Sequence, residues 1–403
     1  MTRSRYGVIL VASVGAAALA LTSCSSSTTS SESTSAAAAA TSAAAAASSA
    51  APAASSAAAS AAGSAAASAA GSAAASGGVP SWCGPDPITL GFADGFGGNS
   101  WRLVTTASGK DEAAKCPSVK DLIYTDGQGD LQKSISDIQG MVAKGVNALV
   151  VFPDASEAIL PTLKEAFDAG VVTVPYRVFP GGKDGVDYTK FIALDAANDG
   201  HNYADFFKKA LPDGGNILVL SGPKGNSQGT LMAEELRKEL GADGKYKFIG
   251  ESPFEVTNWD PALSQKVLTA AIAKYPQIDG IASDFGPSLV GALPEFTKAG
   301  KKIPVLATSD GNVLGCFWED QKAAGNEFPM FTVQTGNDHA RTAIDYAVAV
   351  ATKGTVPTTT AHQHQIFEDS LDPSKPVQCR KDLPGDIYLS AQLSAEDQAA
   401  LMK

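Results

Sequence analysis

Basic side chains are the minority in this chain, 31 against 42 acidic ones for a net charge of −11, and outside the opening segment they form no cluster. Nucleic acid attracts protein through a concentrated positive face, so it is not an expected partner. A long apolar run is also missing. The longest, at 8–21, is too short for a secure membrane span. Residues 25–78 lack nearly every side chain that could build a core, being almost entirely Ala, Ser, Thr and Gly, with the octamer AAGSAAAS at 61–68 and again at 69–76.

What is present at the N-terminus has an order. Arg3 and Arg5 precede the apolar run, which ends Leu21-Thr22-Ser23-Cys24. A charged start, a short apolar core and small residues at a cut make a secretory signal over 1–23. The Leu-x-x-Cys ending resembles the bacterial lipobox, which implies that Cys24 becomes the lipidated first residue of a protein anchored to the outer face of the cell membrane. Residues 24–80 then read as a flexible tether, with alanine favouring helix and serine and glycine opposing it; as a coil it spans roughly 40 Å.

From residue 81 the composition becomes that of a globule large enough for two cored lobes. Short β-rich runs at 88–92, 119–125, 148–152, 171–175 and 191–194 alternate with helical patterns, and a second series follows at 216–220, 246–250, 280–283, 304–308 and 331–334. The helix-like stretches include 131–144, 155–169, 230–240, 261–274 and 338–352. This alternation predicts an α/β protein with two doubly wound parallel-sheet lobes. Ligands of such sheets lie beyond the carboxyl ends of the strands. That rule selects Asn99 to Arg102, Asp154, Tyr176, Arg177, Asp195, the 222–229 loop, Trp259, Asp260, Asp284, Phe285, Asp310 and Gln334. Carboxylates, amides and guanidinium groups bond adjacent hydroxyls in pairs, and aromatic rings cover C–H faces. The set suits a small, hydroxyl-rich ligand.

Three local patterns suggest other chemistry. GFGGNSWR at 95–102 is a glycine-rich turn between a strand and a helix-like stretch, where phosphate-binding folds hold their ligand, but it is not G-x-G-x-x-G. Its glycines read better as room for close backbone approach, with Asn99, Trp101 and Arg102 aimed at the ligand. GNSQG at 225–229 matches the nucleophile elbow G-x-S-x-G, although Ser227 stands about six residues past its strand, where the elbow needs it at once. A serine hydrolase using Ser227, with Asp310 and His339 as partners, is the alternative from another class. His362-Gln363-His364 has a spacing some metal sites use but no third ligand in view, and an exposed strand edge is the expected placement. No metal and no cofactor are expected.

GGNSWR at 97–102, IQGMVAKGVNALVVFPDASEAILPTLKEAFDAGVVTV at 138–174, LTAAIAKYPQIDGIASD at 268–284 and LATSDG at 306–311 together resemble the ribose-binding-protein-like solute receptors of ABC importers, the type I periplasmic binding proteins. The resemblance covers residues 86–370. It implies a three-strand hinge with crossings near Asp195, Gln334 and Phe367, hence an N-terminal lobe of 81–194 and 335–367 and a C-terminal lobe and tail of 195–334 and 368–403. Carried over by position, it implies ligand contacts at Asn99, Trp101, Arg177, Trp259 and Asp310, with Gln334 in the hinge; Arg102, Tyr176 and Asp284 join them from the strand-end rule. Tyr176 stands where ribose receptors carry aspartate and Met232 where they carry a second arginine, which points away from ribose. The implied function is a monomeric, non-enzymatic receptor that binds a monosaccharide or sugar alcohol and delivers it to a membrane permease. A receptor for a nucleoside or another non-sugar metabolite, or one that signals without transport, fits the same residues.

The remaining cysteines, Cys83, Cys116, Cys316 and Cys379, are even in number, and four allow three pairings. Cys83 and Cys116 each precede a strand, which puts both at the amino-terminal edge of neighbouring strands. Cys316 follows the fourth strand of the second series, and Cys379 follows the last implied crossing, so the expected pairs are Cys83 with Cys116 and Cys316 with Cys379.

Overall fold

The computed structural model describes residues 78–242 and 244–403. The signal-like segment, Cys24 and the alanine- and serine-rich stretch up to residue 77 lie outside the described residues. The first series of elements runs β1 (Ile88–Asp94), α1 (Ser100–Ala114), β2 (Val119–Asp126), α2 (Leu131–Ala143), β3 (Ala148–Phe152), α3 (Leu160–Asp168), β4 (Val172–Arg177) and β5 (Ile192–Leu194). The second runs α4 (Ala196–Ala210), β6 (Gly215–Ser221), α5 (Ser227–Gly241), β7 (Tyr246–Ile249), β8 (Glu255–Val256), α6 (Pro261–Lys274), β9 (Gly280–Ser283), α7 (Pro294–Lys298), β10 (Val305–Ser309), α8 (Asn312–Ala323) and β11 (Met330–Val333). Then come α9 (His339–Thr352), β12 (Ala361–His362), β13 (Ile366–Asp369) and α10 (Ala395–Leu401).

The strands form a six-stranded sheet ordered β12-β5-β4-β3-β1-β2 and a second sheet ordered β13-β11-β10-β9-β6-β7, with β8 beside β6. Five consecutive strands in each repeat one order, β2-β1-β3-β4-β5 and β7-β6-β9-β10-β11, and all of those pairs are parallel. Strand order reverses between β1 and β3 in one lobe and between β6 and β9 in the other. These are the places where an open parallel sheet leaves a crevice at its carboxyl edge.

Central strands such as β3 and β9 are buried throughout, as a sheet covered on both faces requires, whereas β2 at an edge exposes Lys120 and Asp121. In the first lobe α1 and α9 cover one face around Phe92, Val104, Val150 and Ile344, and α2 and α3 cover the other around Ile138, Met141 and Leu163. In the second lobe Tyr203, Phe206, Phe207 and Leu236 of α4 and α5 fill one face, and Leu268, Phe296, Leu314 and Trp318 fill the other. Cys83 and Cys116 are bonded to each other, as are Cys316 of α8 and Cys379.

Where the helices start is set by capping. The Asn99 and Asp130 side chains accept from the amides of Arg102 and Lys133, and Asp260 caps α6 ahead of Pro261. The single helix expected over 155–169 is instead a 3-10 turn at Ser156–Ile159 followed by α3, with Pro161 in the helix's first turn, where its missing N–H costs nothing. The third crossing occupies residues 363–365, and Phe367 already lies inside β13. Helices α4 and α8 carry no expectation from the alternation pattern. α4 and α5 pack so closely that a Cβ on Gly200 would lie 2.3 Å from the Met232 carbonyl oxygen. Gly200→Ala is therefore expected to destabilise the fold by about 1–2 kcal/mol, overpacking outweighing the gain in helix propensity. Urea unfolding that finds it as stable as the parent would sink this expectation.

Candidate functional site

A cavity of about 540 Å³ opens between the carboxyl ends of the two sheets. The first lobe lines it with Phe96, Asn99, Trp101, Arg102, Phe152, Asp154 and Arg177, and the second with Asn226, Gln228, Asn258, Trp259, Asp284 and Phe285. Thr335, in a segment running back between the lobes, completes the wall. It lies at the reversal points of both sheets.

Arg177 closes the end of β4 in the left-handed region, φ +67°, a conformation that non-glycine residues hold only where the surroundings fix it. Its guanidinium is buried and donates from Nε to Gln228 Oε1 at 3.2 Å, from Nη2 to the Thr335 carbonyl at 3.2 Å and from Nη1 to that of Gly336 at 3.4 Å. It stacks on the Trp101 ring 4.7 Å away, and Trp101 Nε1 donates to the same Thr335 carbonyl at 3.2 Å. Burial lowers its pKa to about 10, with Asp199 opposing, so it remains a cation at neutral pH. No carboxylate lies within ion-pair distance of it among the described residues. Arg102, by contrast, is spent on Asp94 at 3.1 Å and on Asp154, and its guanidinium covers the Phe152 ring 3.5 Å away.

On the opposite wall Asn258 and Trp259 both have positive φ, +52° and +57°, just before α6. Trp259 Nε1 donates to Asp284 Oδ1 at 3.0 Å, and Ser221 Oγ to Asp284 Oδ2 at 2.7 Å. Burial pushes Asp284 up to about 6 against those two bonds. The ring fits because residue 222 is glycine: a Cβ there would lie 2.3 Å from a Trp259 ring carbon. The cavity thus offers an indole ring on each wall, with a cation on one and a carboxylate on the other. It can hold a flat-faced, hydroxyl-bearing molecule between rings and bond its rim.

Of the nine ligand contacts expected from sequence, Asn99, Trp101, Arg102, Arg177, Trp259 and Asp284 line this cavity. Tyr176, Asp310 and Gln334 do not. Tyr176 is fully buried against Phe152 and His339, because successive strand residues face opposite ways and its neighbour Arg177 takes the cleft. Asp310 is buried behind the wall, accepting from the Thr335 amide and from Ser390. Gln334 accepts from the Gln365 amide and donates to the Ser390 carbonyl. Sequence reasoning passed over Phe96, Phe152 and Thr335. Gln228 and Asn226 lay within the selected 222–229 loop without being singled out.

The glycine-rich loop at 95–98 is no phosphate cradle. The amides of Phe96 and Gly97 already donate to Asp94 and Asp126, and a Cβ at Gly95 or Gly97 would strike the carboxylates of Asp154 or Asp126. The glycines make room for carboxylates, which repel an anion. Ser227 begins α5 six residues after β6 ends at Ser221, and no histidine among the described residues bonds it. His339 Nε2 donates to the Ile192 carbonyl at 3.1 Å instead. His364 is not on an exposed edge: it is buried with Nδ1 2.9 Å from Asp199, and His362 stacks on His339 with ring centres 4.9 Å apart. β12 is indeed the edge strand of its sheet, with Ala361 exposed and His362 half-buried, but His364 just after it turns inward.

The periplasmic binding protein domain model matches residues 91–355. Among curated proteins the chain is 24% identical over 197 residues to a putative rhizopine-binding protein of Rhizobium meliloti, covering 49% of this chain and 63% of that one. It is 24% identical over 203 residues to a xylitol-binding protein of Mycolicibacterium smegmatis, covering 49% and 55%. These matches span between about half and two thirds of the relatives' length. Solved structures with the same fold include a Caulobacter myo-inositol binding protein bound to myo-inositol, with a TM-score of 0.59 and 20% identity over 69% of this chain and 92% of that one. A galactofuranose binding protein has a TM-score of 0.60 and 21% identity over 70% and 94%.

Proposed function

Because the chain belongs to the periplasmic binding protein domain family, with the model covering residues 91–355, we propose that it is an exported solute receptor that holds one monosaccharide or sugar alcohol in the cavity between its lobes. The observation that carries this reading is the pairing of Trp101 and Arg177 on one wall with Trp259 and Asp284 on the other. Rings that cover C–H faces and polar groups that bond vicinal hydroxyls are what a sugar or polyol requires. The names of the similar proteins, which include sugar and polyol binders, support the same class.

The chemistry is retention, not conversion. Two lobes joined by crossing segments close on a ligand and release it when a membrane permease opens them. Lipidation at Cys24 keeps the receptor at the membrane as a monomer, and the tether gives it reach. Ser227, which among the described residues meets only the Phe179 amide and no histidine or carboxylate, argues against a hydrolase. Isothermal titration of the full chain carrying Cys24→Ser, against pentoses, hexoses, their polyols and a nucleoside panel, tests the reading. Binding of a sugar or polyol tighter than roughly 100 µM is expected; none at that strength, or nucleosides alone, sinks it.

A further inference from the structure

After β13 the chain does not stay with the second lobe. Cys379 is bonded to Cys316, and the Asn312 side chain at the start of α8 donates to the carbonyls of Arg380 at 2.9 Å and Pro384 at 3.0 Å while accepting the Arg380 amide at 2.8 Å. The amides of Asn312 and Val313 donate to the Ile387 and Gly385 carbonyls, so this segment also caps α8. One residue later the chain is in the other lobe. Tyr388 is buried in the first lobe's core with its hydroxyl 3.2 Å from Ser100, the Gln392 amide donates to Asp338, and Leu393 and Met402 pack on the same core. The C-terminal segment is a strap fastened to both lobes.

Between those fastenings lies Ser390. Its hydroxyl donates to Asp310 Oδ1 at 2.6 Å and its amide to Oδ2 at 3.2 Å. Asp310 is fully buried, has no cation within ion-pair distance among the described residues, and accepts one further bond, the Thr335 amide at 3.0 Å. The carbonyl of that same Thr335 receives Trp101 Nε1 and Arg177 Nη2, each at 3.2 Å. Its hydroxyl is held on Asn337, whose amide returns to the Trp101 carbonyl at 3.0 Å. The strap therefore reaches the cleft through one buried carboxylate and one peptide group.

We propose that Ser390 is a positioning residue for Trp101 and Arg177, acting through Asp310 and the Thr335 peptide. Asp310 follows the end of β10 beside the cavity, yet two of its three acceptor bonds come from the strap behind it and the third from the Thr335 amide, and it shapes the cleft without reaching it. A buried carboxylate stripped of its hydroxyl donor turns or takes a proton, and the Thr335 peptide that it anchors turns with it. The importance of this to binding rests on the sugar-receptor reading; the positioning itself does not, and its test uses no ligand. The full chain carrying Cys24→Ser is grown with 5-fluorotryptophan, which gives one fluorine resonance for each of its four tryptophans, with Trp101 assigned through Trp101→Phe. Ser390→Ala is expected to shift the Trp101 resonance by more than its linewidth while Trp82 and Trp318 stay in place, and Ser390→Thr, which keeps the hydroxyl, is expected to restore it. An unmoved Trp101 in Ser390→Ala, equal shifts in all four tryptophans, or the same shift in Ser390→Thr would each overturn the proposal.

Discussion

Arg177→Ala should weaken binding of the sugar or polyol found by titration by about thirtyfold to a hundredfold, a loss of about 2–3 kcal/mol. The guanidinium is buried, and removing it strands the three acceptors it satisfies, Gln228 Oε1 and the carbonyls of Thr335 and Gly336. It also removes the plane on which the Trp101 ring rests. The charge has no carboxylate within ion-pair distance among the described residues, so its unused donors are free to bond a ligand's oxygens in pairs. Arg177→Lys should recover little of the loss, because one ammonium cannot reproduce a planar fork. Calorimetric titration of both variants checks the expectation, and an affinity unchanged from the parent would place the ligand elsewhere.

The fold was legible because its signal is repetitive. Parallel strands buried on both faces read as apolar runs, and their spacing with helices admits few topologies, so the residues at strand ends could be named before their geometry was known. That reasoning carries Arg177 and Asp284 into one cavity, since each ends or follows a strand at a reversal of strand order or beside one. It failed for Tyr176 because a strand end names two adjacent residues and the backbone turns only one to the cleft; the positive φ at Arg177 decided which. It failed for Asp310 because the partner that fills it, Ser390, lies 80 residues on in a segment with little periodicity and one seven-residue helix. Of what holds the strap, only the Cys316–Cys379 disulfide was legible; the single side-chain bonds and the one tyrosine leave no pattern. The histidines were misjudged for a related reason. The two-residue strand is the edge that its sequence suggests, but the ring of His362 stacks on His339 and His364 turns inward onto Asp199 of α4, contacts that alternation along a strand does not reveal.

Those histidines should make the folded state acid-sensitive in a way that can be isolated. His339 is fully buried, and burial, with His362 and Arg177 adding repulsion, holds its pKa well below the usual 6.5; burial, His364 and Arg177 bring His362 down to about 3. The groups facing them from every packed element are Tyr176 and Arg177 of β4, His364 with its partner Asp199 of α4, and the Ile192 carbonyl of β5. Each ring is neutral when folded and protonates near 6.5 when unfolded. The unfolded state therefore binds more protons below 6.5, and stability falls as pH drops from there toward the folded values, by about 1 kcal/mol per pH unit for each ring. Buried carboxyls act with the opposite sign. Asp284 and Asp310, pushed up to about 6, and Glu368, pushed up to about 7, take up protons more readily folded than unfolded, and they add stability as pH falls. The parent's profile is thus a partial cancellation, and a comparison separates the two. His339→Asn with His362→Asn leaves every carboxyl in place, so the difference between parent and double variant reports the rings alone. Guanidinium unfolding at pH 6.5 and pH 4.5 should show the parent losing about 4 kcal/mol more than the variant across that interval. Equal losses would mean that the rings are protonated in the folded state, with Asp199 and the surrounding carbonyls stabilising a charge that burial was expected to exclude.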